Sequence, residues 1–519
     1  MVAWPEPSAP PARHPASLVP FALDRRGDRP MHRQLYAQVR DAILSGRLAP
    51  GVRLPATRVL AEELGCSRNT VVNAFEQLHA EGYLEGRTGA GTFVSGVLPD
   101  HLLSPSETPR TKAGPQRPAA RGLSRRGQDL AALARPSVPV ARAFTPGLPD
   151  VAHFPFDVWG RLLGRIWRRP SADLLHPGSM AGYPPLRAAI ARHLRSVRGL
   201  PCDAEQVLIT AGAQQALDLV ARVLIDPGDA VWLEEPGYAG LRNALAAAGA
   251  RLVPVPVDAE GLVVTEGRRL APDARLAAVT PSHQYPLGVT LSLSRRLALL
   301  DWASERDAWV LEDDYDSEYR YGGRPLASLQ GLDASRADGG RVIYVGTFSK
   351  VLFPALRLGY LIAPPDLVTP LSQALRSLDD SASSIAQPAL ARFIDEGHFA
   401  SHLRRMRRLY AARQDALLAA AERYFEGLLQ LAPDAAGLHL VARLGPALRG
   451  RVSDREVERE ASAAGIAVGA LSTYYATAEA ADRLSCQGLL LGYAALDEAE
   501  IDGNARRLAA VLRALARRP

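Results

Sequence analysis

Residues 341–360 read RVIYVGTFSKVLFPALRLGY. A short apolar run, Val342 to Val345, passes through Gly346 into Thr347, Ser349 and Lys350, and Pro354 and Gly359 punctuate the remainder of the stretch. This is the pattern of a buried strand whose end opens into a loop. The lysine gives the loop its meaning. Of 61 basic residues only Lys112 and Lys350 are lysines, and Lys112 sits in a stretch with almost nothing to bury. Arginine replaces lysine wherever a positive charge is wanted, but a guanidinium is never a free amine. A chain that otherwise uses arginine and keeps Lys350 is keeping an amine, which a Schiff base with a carbonyl requires.

The same pattern repeats outward from this stretch. QVLITAG (206–212), AVWLEE (230–235), LAAVTP (276–281) and AWVLEDD (308–314) are further short apolar runs bounded by Gly, Pro or acidic residues. Helix-like segments such as AQQALDLVARVLI (213–225) and LSRRLALLDWASERD (293–307) lie between them. Strand and helix in turn predict an α/β domain over 142–519, with a mainly parallel sheet covered on both faces. Ligands bind such sheets at the carboxyl ends of the strands.

Those ends carry chemistry. AWVLEDDYDSEY closes on Asp313 and Tyr315. A carboxylate that keeps a pyridinium nitrogen protonated is what makes pyridoxal phosphate an electron sink, and a phenol beside it can bond the ring oxygen. Calcium competes for the same residues, since Asp314, Asp316 and Glu318 have the spacing of a calcium loop. It fails where the loop needs glycine and its last carboxylate, because Tyr319 and Pro325 stand there. ITAGAQQAL is strand, small-residue turn and helix start, so the N–H groups of Gly212, Ala213 and Gln214 predict a phosphate cradle. Arg357, Thr347 and Ser349 could complete it. No GxxxxGK[ST] occurs, and GAGTFV lacks the third glycine of a dinucleotide fingerprint. EEPGYAG brings Tyr238 to a strand end, placed to stack on a flat ring. TPSHQYPLG brings His283, Gln284 and Tyr285 to another, any one within reach of a ring hydroxyl. His398 and His402, four residues apart, are expected on a solvated helix face.

The first quarter of the chain differs in charge. Residues 1–141 hold 18 basic and 12 acidic residues, leaving 43 of each beyond, so the whole net charge of +6 lies there. An anionic partner is implied, nucleic acid foremost. Within 24–95, MHRQLYAQVRDAILSG sets Leu35, Val39 and Ile43 on one helical face. Thr57 is placed to cap a second helix carrying Leu60 and Leu64, and Ser67 a third with Val71, Phe75 and Leu78 inward. GYLE and TFVS flank GRTGAG as a hairpin. The unit reads as a helix-turn-helix with a wing. Residues 96–141, rich in proline, serine and arginine, read as a flexible basic linker.

Composition sets the outer limits. At 519 residues, 47% hydrophobic and 22% charged, the chain suits a soluble protein with a sizeable core. No stretch reaches the roughly 18 apolar residues of a membrane span, and MVAWPEPSAPPARHP has no signal-peptide pattern, so a cytoplasmic protein is expected. Cys66, Cys202 and Cys486 stand too far apart for a paired motif.

TPSHQYPLG, LEDDYDSEYRY and TFSKVLFPALRLGY, preceded by LPATRVLAEELGCSRNTVVNAFEQLHAEGYLEGRTGAGTFV, together resemble the MocR/GabR subfamily of bacterial transcription regulators. In it a GntR-type winged helix-turn-helix is fused to a fold-type I aminotransferase-like domain. The resemblance covers nearly all of the chain beyond the first twenty or so residues and the linker. It implies that Lys350 forms the internal aldimine with pyridoxal phosphate, that Asp313 pairs with the pyridine nitrogen, and that Tyr315 bonds the ring oxygen. Tyr238 would stack on the ring and Arg357 bind phosphate. It also implies a homodimer on double-stranded DNA with two half-sites, its third helix in the major groove. Arg68, Asn69 and Asn73 would then face base edges, and Arg58, Ser67, Thr70 and Arg87 phosphates. The signal would be an amine, an amino acid or pyridoxal phosphate itself.

One departure bears on activity. Working aminotransferases carry a substrate-binding arginine near the C-terminus, and GLLLGYAAL puts Leu490 where it would align. Losing a bidentate, charge-assisted contact of that kind costs about 1.5–3 kcal/mol. General transamination is therefore not expected, and an active aminotransferase with an accessory DNA-binding domain is the alternative.

Overall fold

A computed structural model describes residues 20–96 and 142–518, apart from 26, 88, 177, 323–326, 338, 380–382 and 482–485, together with 122–124, 126–128 and 131. The chain divides into two compact units, 1–121 and 122–519. The expected linker, 96–141, lies largely outside the described residues, although 126–128 and 131 are helical.

In the first unit, α1 (Met31–Leu44), α2 (Thr57–Glu63) and α3 (Arg68–Ala80) precede the hairpin β1 (Leu84–Arg87) and β2 (Gly91–Val94). Leu35, Val39 and Ile43 of α1 meet Val71, Phe75 and Leu78 of α3 in one core, closed by Leu84 and Val94 of the hairpin. Ser67 caps α3, its side chain accepting from the Thr70 N–H at 3.2 Å. Thr57 does not cap α2: it is the first helical residue, and Ala56 holds the cap position without a side-chain bond. The hairpin registers Leu84 on Val94 and Arg87 on Gly91, and Arg53 bridges to Phe93 beside it.

The second unit is built on β3 (Val207–Thr210), β4 (Ala230–Glu235), β5 (Arg251–Asp258), β6 (Gly261–Leu262), β7 (Leu276–Val279), β8 (Trp309–Asp314), β9 (Val342–Thr347) and β10 (Gly359–Ile362). They form one sheet in the order β3-β10-β9-β8-β7-β4-β5-β6. The pairs β9–β8, β8–β7, β7–β4 and β4–β5 are parallel. β10 runs antiparallel to both of its neighbours. Because successive side chains leave a strand on opposite faces, Val310 and Leu311 enter different cores. Leu311 packs with Leu217, Leu241 and Leu371 from helices on one face, and Val310 with Leu299 and Trp302 on the other. This two-sided burial is the α/β layering that the apolar runs predict.

The sequence pattern does not foretell the end of the chain. β11 (Leu429–Leu431), β12 (His439–Leu444), β13 (Gly469–Ala470) and β14 (Gly488–Gly492) form a second, antiparallel sheet in the order β11-β12-β14-β13. Of these, β11 and β13 carry too few residues to display a period. The helices His398–Tyr424 and Glu498–Ala516 pack with it, burying Leu417, Leu508 and Leu512 against Leu440 and Leu491.

Candidate functional site

Strands β3, β4, β7, β8 and β9 end around one cavity of about 270 Å³. Lys350 lies just beyond the end of β9, and its Nζ donates to the Gly147 carbonyl at 2.7 Å. The loop beneath it is pinned: the carbonyl of Val351 accepts from Tyr319 Oη at 2.6 Å and from His402 Nε2 at 3.2 Å. Burial lowers the Lys350 pKa, against the pull of Asp316. More of the amine is therefore neutral, and nucleophilic, at a given pH.

Asp313, at the end of β8, is almost fully buried and its Oδ1 has no hydrogen-bond partner. Burial pushes its carboxyl up to about 7, with Asp314, Glu234 and Asp316 adding to the shift. A buried carboxylate oxygen without a donor is costly, and a ring N–H is the kind of group that would satisfy it. The strand end behind it is fixed by Arg198, which meets Asp314 at 2.7 Å with both side chains out of solvent, and by the Tyr344 hydroxyl on the same carboxylate at 2.7 Å.

The opposite end of the cavity suits an anion. Gly212 has φ +115°, a conformation that favours glycine, and opens the helix Ala213–Leu224. The first-turn amides of that helix have no carbonyl within it to bind. Arg357, itself left-handed at φ 51°, turns its exposed guanidinium to the same spot, within 3.9 Å of where a Gly212 side chain would begin. Strain of this kind is held where the surroundings require it. Thr347 accepts from the Ser349 N–H at 3.2 Å, and Ser349 Oγ is buried without a partner. Orphaned Asp313 and Ser349 atoms, the amide cradle and Arg357 at one end, and an amine between them are together what pyridoxal phosphate needs.

Aromatic rings make the walls. Tyr238 stands edge-on to Tyr285, with ring centroids 5.8 Å apart, and Tyr285 is perpendicular to Tyr315 at 5.5 Å. Of the three residues expected from TPSHQYPLG, Tyr285 reaches the cavity. Gln284 is spent on the Pro236 and Tyr285 carbonyls at 2.8 Å, and His283 lies behind Tyr315, 3.0 Å from its hydroxyl. Every other residue anticipated at the cofactor lines the cavity. His439, Gly147 and Leu438 also line it and were not anticipated. They come from segments with no motif of their own; the one trace was a histidine in the apolar run HLVARL.

One of the two other histidine expectations changes. His402 is buried, not solvated, because it packs edge-on to Phe154 at 5.5 Å while bonding Val351; burial drops its pKa to about 4. His398 keeps the expected solvated position, its side chain 37% exposed and 3.5 Å from Glu396. Asp314 and Asp316, weighed as calcium ligands, are committed to Arg198 and His283, and no metal-holding cluster occurs among the described residues. Nor is any described helix long and apolar enough to cross a membrane.

Leu490 is fully buried, clustered with Leu471 and Tyr474 and packed by Tyr285. The hydroxyls of Tyr285 and Tyr474 meet at 3.2 Å.

On the first unit, Arg68, Asn69 and Asn73 are exposed on the first turns of α3. Ser67 and Thr70 share a bond between their hydroxyls at 2.9 Å as well as the cap. Arg58 is exposed, 3.7 Å from Glu62. Arg87 is held by Glu85 at 2.7 Å and lies over the Phe93 ring at 4.7 Å, so the wing presents it in a fixed posture.

Residues 31–94 match the family of bacterial regulatory proteins of the gntR type, and residues 171–503 match aminotransferase class I and II. The chain is 46% identical over 478 residues to the probable rhizopine catabolism regulatory protein MocR of Rhizobium meliloti, covering 92% of each. It is 35% identical over 487 residues to the pyridoxine biosynthesis transcriptional regulator PdxR of Corynebacterium glutamicum, covering 92% of this chain and 95% of that one. Among solved structures it resembles LysN, the α-aminoadipate aminotransferase of Thermus thermophilus, complexed with N-(5'-phosphopyridoxyl)-L-leucine. The TM-score is 0.67 at 31% identity, over 75% of this chain and 97% of that one.

Proposed function

Because this chain belongs to the MocR/GabR-type transcription regulators, with a GntR-type DNA-binding unit ahead of an aminotransferase class I and II domain, we propose that it binds pyridoxal phosphate at Lys350 and lets that site's ligand state govern its hold on DNA. Bound pyridoxal phosphate supplies an aldehyde open to amines and a ring that draws electrons when its nitrogen is protonated.

The chain's own residues divide the work of holding it. Lys350 offers the amine, and Asp313 takes the ring N–H. The Gly212, Ala213 and Gln214 amides, Arg357, Thr347 and Ser349 take the phosphate, while Tyr238 covers the ring face and Tyr315 meets the ring oxygen. The observation that carries this reading is the buried, partnerless Oδ1 of Asp313 in the same cavity as the Lys350 amine. A carboxylate left in that state is a liability unless a ligand completes it.

The effector is an amine, an amino acid or pyridoxal phosphate itself. A ligand shifts a conformational equilibrium only by binding its two states differently, so the effector must alter contacts around Lys350. The working form is a cytoplasmic homodimer that presents two copies of α3 to two half-sites. Leu490 favours this reading over an aminotransferase, because a leucine packed under Tyr285 and Tyr474 offers a substrate carboxylate nothing.

The test is the visible absorption of the wild type and Lys350→Ala, each with pyridoxal phosphate, followed by titration with amines. A band in the wild type alone, shifted by an amine without keto-acid-dependent turnover, is the expected result. Absence of any band would overturn the cofactor, and steady turnover would put the enzyme reading first.

A further inference from the structure

His283 is buried with an acidic partner at each ring nitrogen. Nδ1 lies 3.0 Å from Asp316 Oδ2 and 3.0 Å from the Tyr315 hydroxyl. Nε2 lies 3.1 Å from Asp434 Oδ2. A neutral imidazole has one N–H and would turn a lone pair on one of the two carboxylates, whereas the cation donates to both. The charge agrees with this: burial opposes protonation, but Asp316 and Asp434 outweigh it and raise the pKa to about 10.

The two carboxylates come from different sheets. Asp316 follows β8, two residues after the strand ends. Asp434 belongs to the connection between β11 and β12 in the C-terminal sheet, where Gln414 of the long helix receives its N–H at 3.0 Å. Space for the contact is made by glycines. A side chain on Gly288, at φ +78°, would run into Asp434, and one on Gly437, at φ +95°, into the His283 ring. The other titratable ring close by, His439 of β12, is bonded through Nε2 to the Pro286 carbonyl at 3.0 Å, and burial together with the His283 charge drops its pKa to about 4.

We propose that His283 is a positioning residue that works through Tyr315. Held as a cation between Asp316 and Asp434, it shares its single Nδ1–H between the Asp316 carboxylate and the Tyr315 oxygen, leaves the phenol proton to point into the cavity, and makes that contact depend on the C-terminal subdomain. The proposal rests on the pyridoxal phosphate reading of the same cavity. It adds that an acid in the second sheet tunes the group facing the ring oxygen, although Asp434 does not line the cavity.

The test uses the full chain with pyridoxal phosphate and compares His283→Gln with Asp434→Asn. Both variants keep side-chain size and a hydrogen-bonding group, but the first removes a positive charge and the second a negative one. The readout is the pH midpoint of the visible band. His283→Gln raises it and Asp434→Asn lowers it, each by about threefold to tenfold in proton affinity, because Asp316 alone still keeps His283 protonated. Shifts in the same direction in both variants, or none, would overturn the proposal, since a merely structural role has no reason to change sign with charge. Should the wild type form no band, the cofactor reading fails separately. The imidazole nitrogen shifts of the ligand-free protein then decide: a His283 neutral at pH 7 overturns the proposal, and a doubly protonated one sustains the cation it requires.

Discussion

The amine of Lys350 is 2.7 Å from the carbonyl of Gly147, a residue more than two hundred positions earlier in the chain, and that bond holds Nζ within the cavity. Gly147 has φ +67°, a conformation that favours glycine, and a side chain there would begin 3.1 Å from the amine and press on it.

Lys350→Arg keeps the charge and the bond to Gly147 but removes the free amine. It is expected to abolish the visible band and to weaken pyridoxal phosphate binding by about a hundredfold or more, measured by equilibrium dialysis. In the wild type the lowered pKa of Lys350 makes the band form faster as pH rises, levelling off below the pH where an ordinary lysine would. Stopped-flow absorbance across a pH series from mildly acidic to alkaline reads this.

Asp313→Asn separates stability from function. The folded carboxyl titrates near 7 against 3.8 unfolded, so its contribution to stability is full below 3.8 and is lost as pH rises through about 7. At pH 8 the ligand-free variant should be more stable than the wild type by on the order of 2 kcal/mol in urea unfolding. Its affinity for pyridoxal phosphate should fall by about tenfold to a hundredfold, because a charge-assisted bond becomes a neutral one. A variant that loses stability without ligand would mean that Asp313 has a partner within the fold.

Leu490→Arg is expected to destabilise the fold rather than create activity. The site is sealed beneath Tyr285 and Tyr474, so a guanidinium there is buried without a partner and costs about 3 kcal/mol or more. Thermal unfolding should fall by several degrees with no gain of transamination.

On DNA, Arg68→Ala and Asn73→Ala should each cost about 1–3 kcal/mol on a fragment selected by the wild type and relax its sequence preference. Arg87→Ala should weaken all sequences alike and reduce the salt slope by about one. Fluorescence anisotropy at several salt concentrations distinguishes the two patterns.

Much of this site was legible because its residues stand at strand ends next to turn-forming residues: Gly212 after β3, Tyr238 after β4, Asp313 and Lys350 at the ends of β8 and β9. A strand announces itself by its apolar run, and the polar residue that ends it is then conspicuous. His439 and Gly147 carry no such mark, since each reaches the cavity only through packing between segments far apart in sequence, and Asp434 reaches His283 in the same way. His402 misled for a related reason. Its spacing from His398 describes a helix face, but which face is buried depends on Phe154 and Val351, which the helix cannot announce.

The scarcity of lysine has a practical side. A protease that cuts after lysine has two places to act, after Lys112 and after Lys350. Once the Lys350 amine is chemically capped and the chain denatured, only the first remains. Three fragments, 1–112, 113–350 and 351–519, then become two, and occupancy at the centre of the cavity can be read as lengths on a gel.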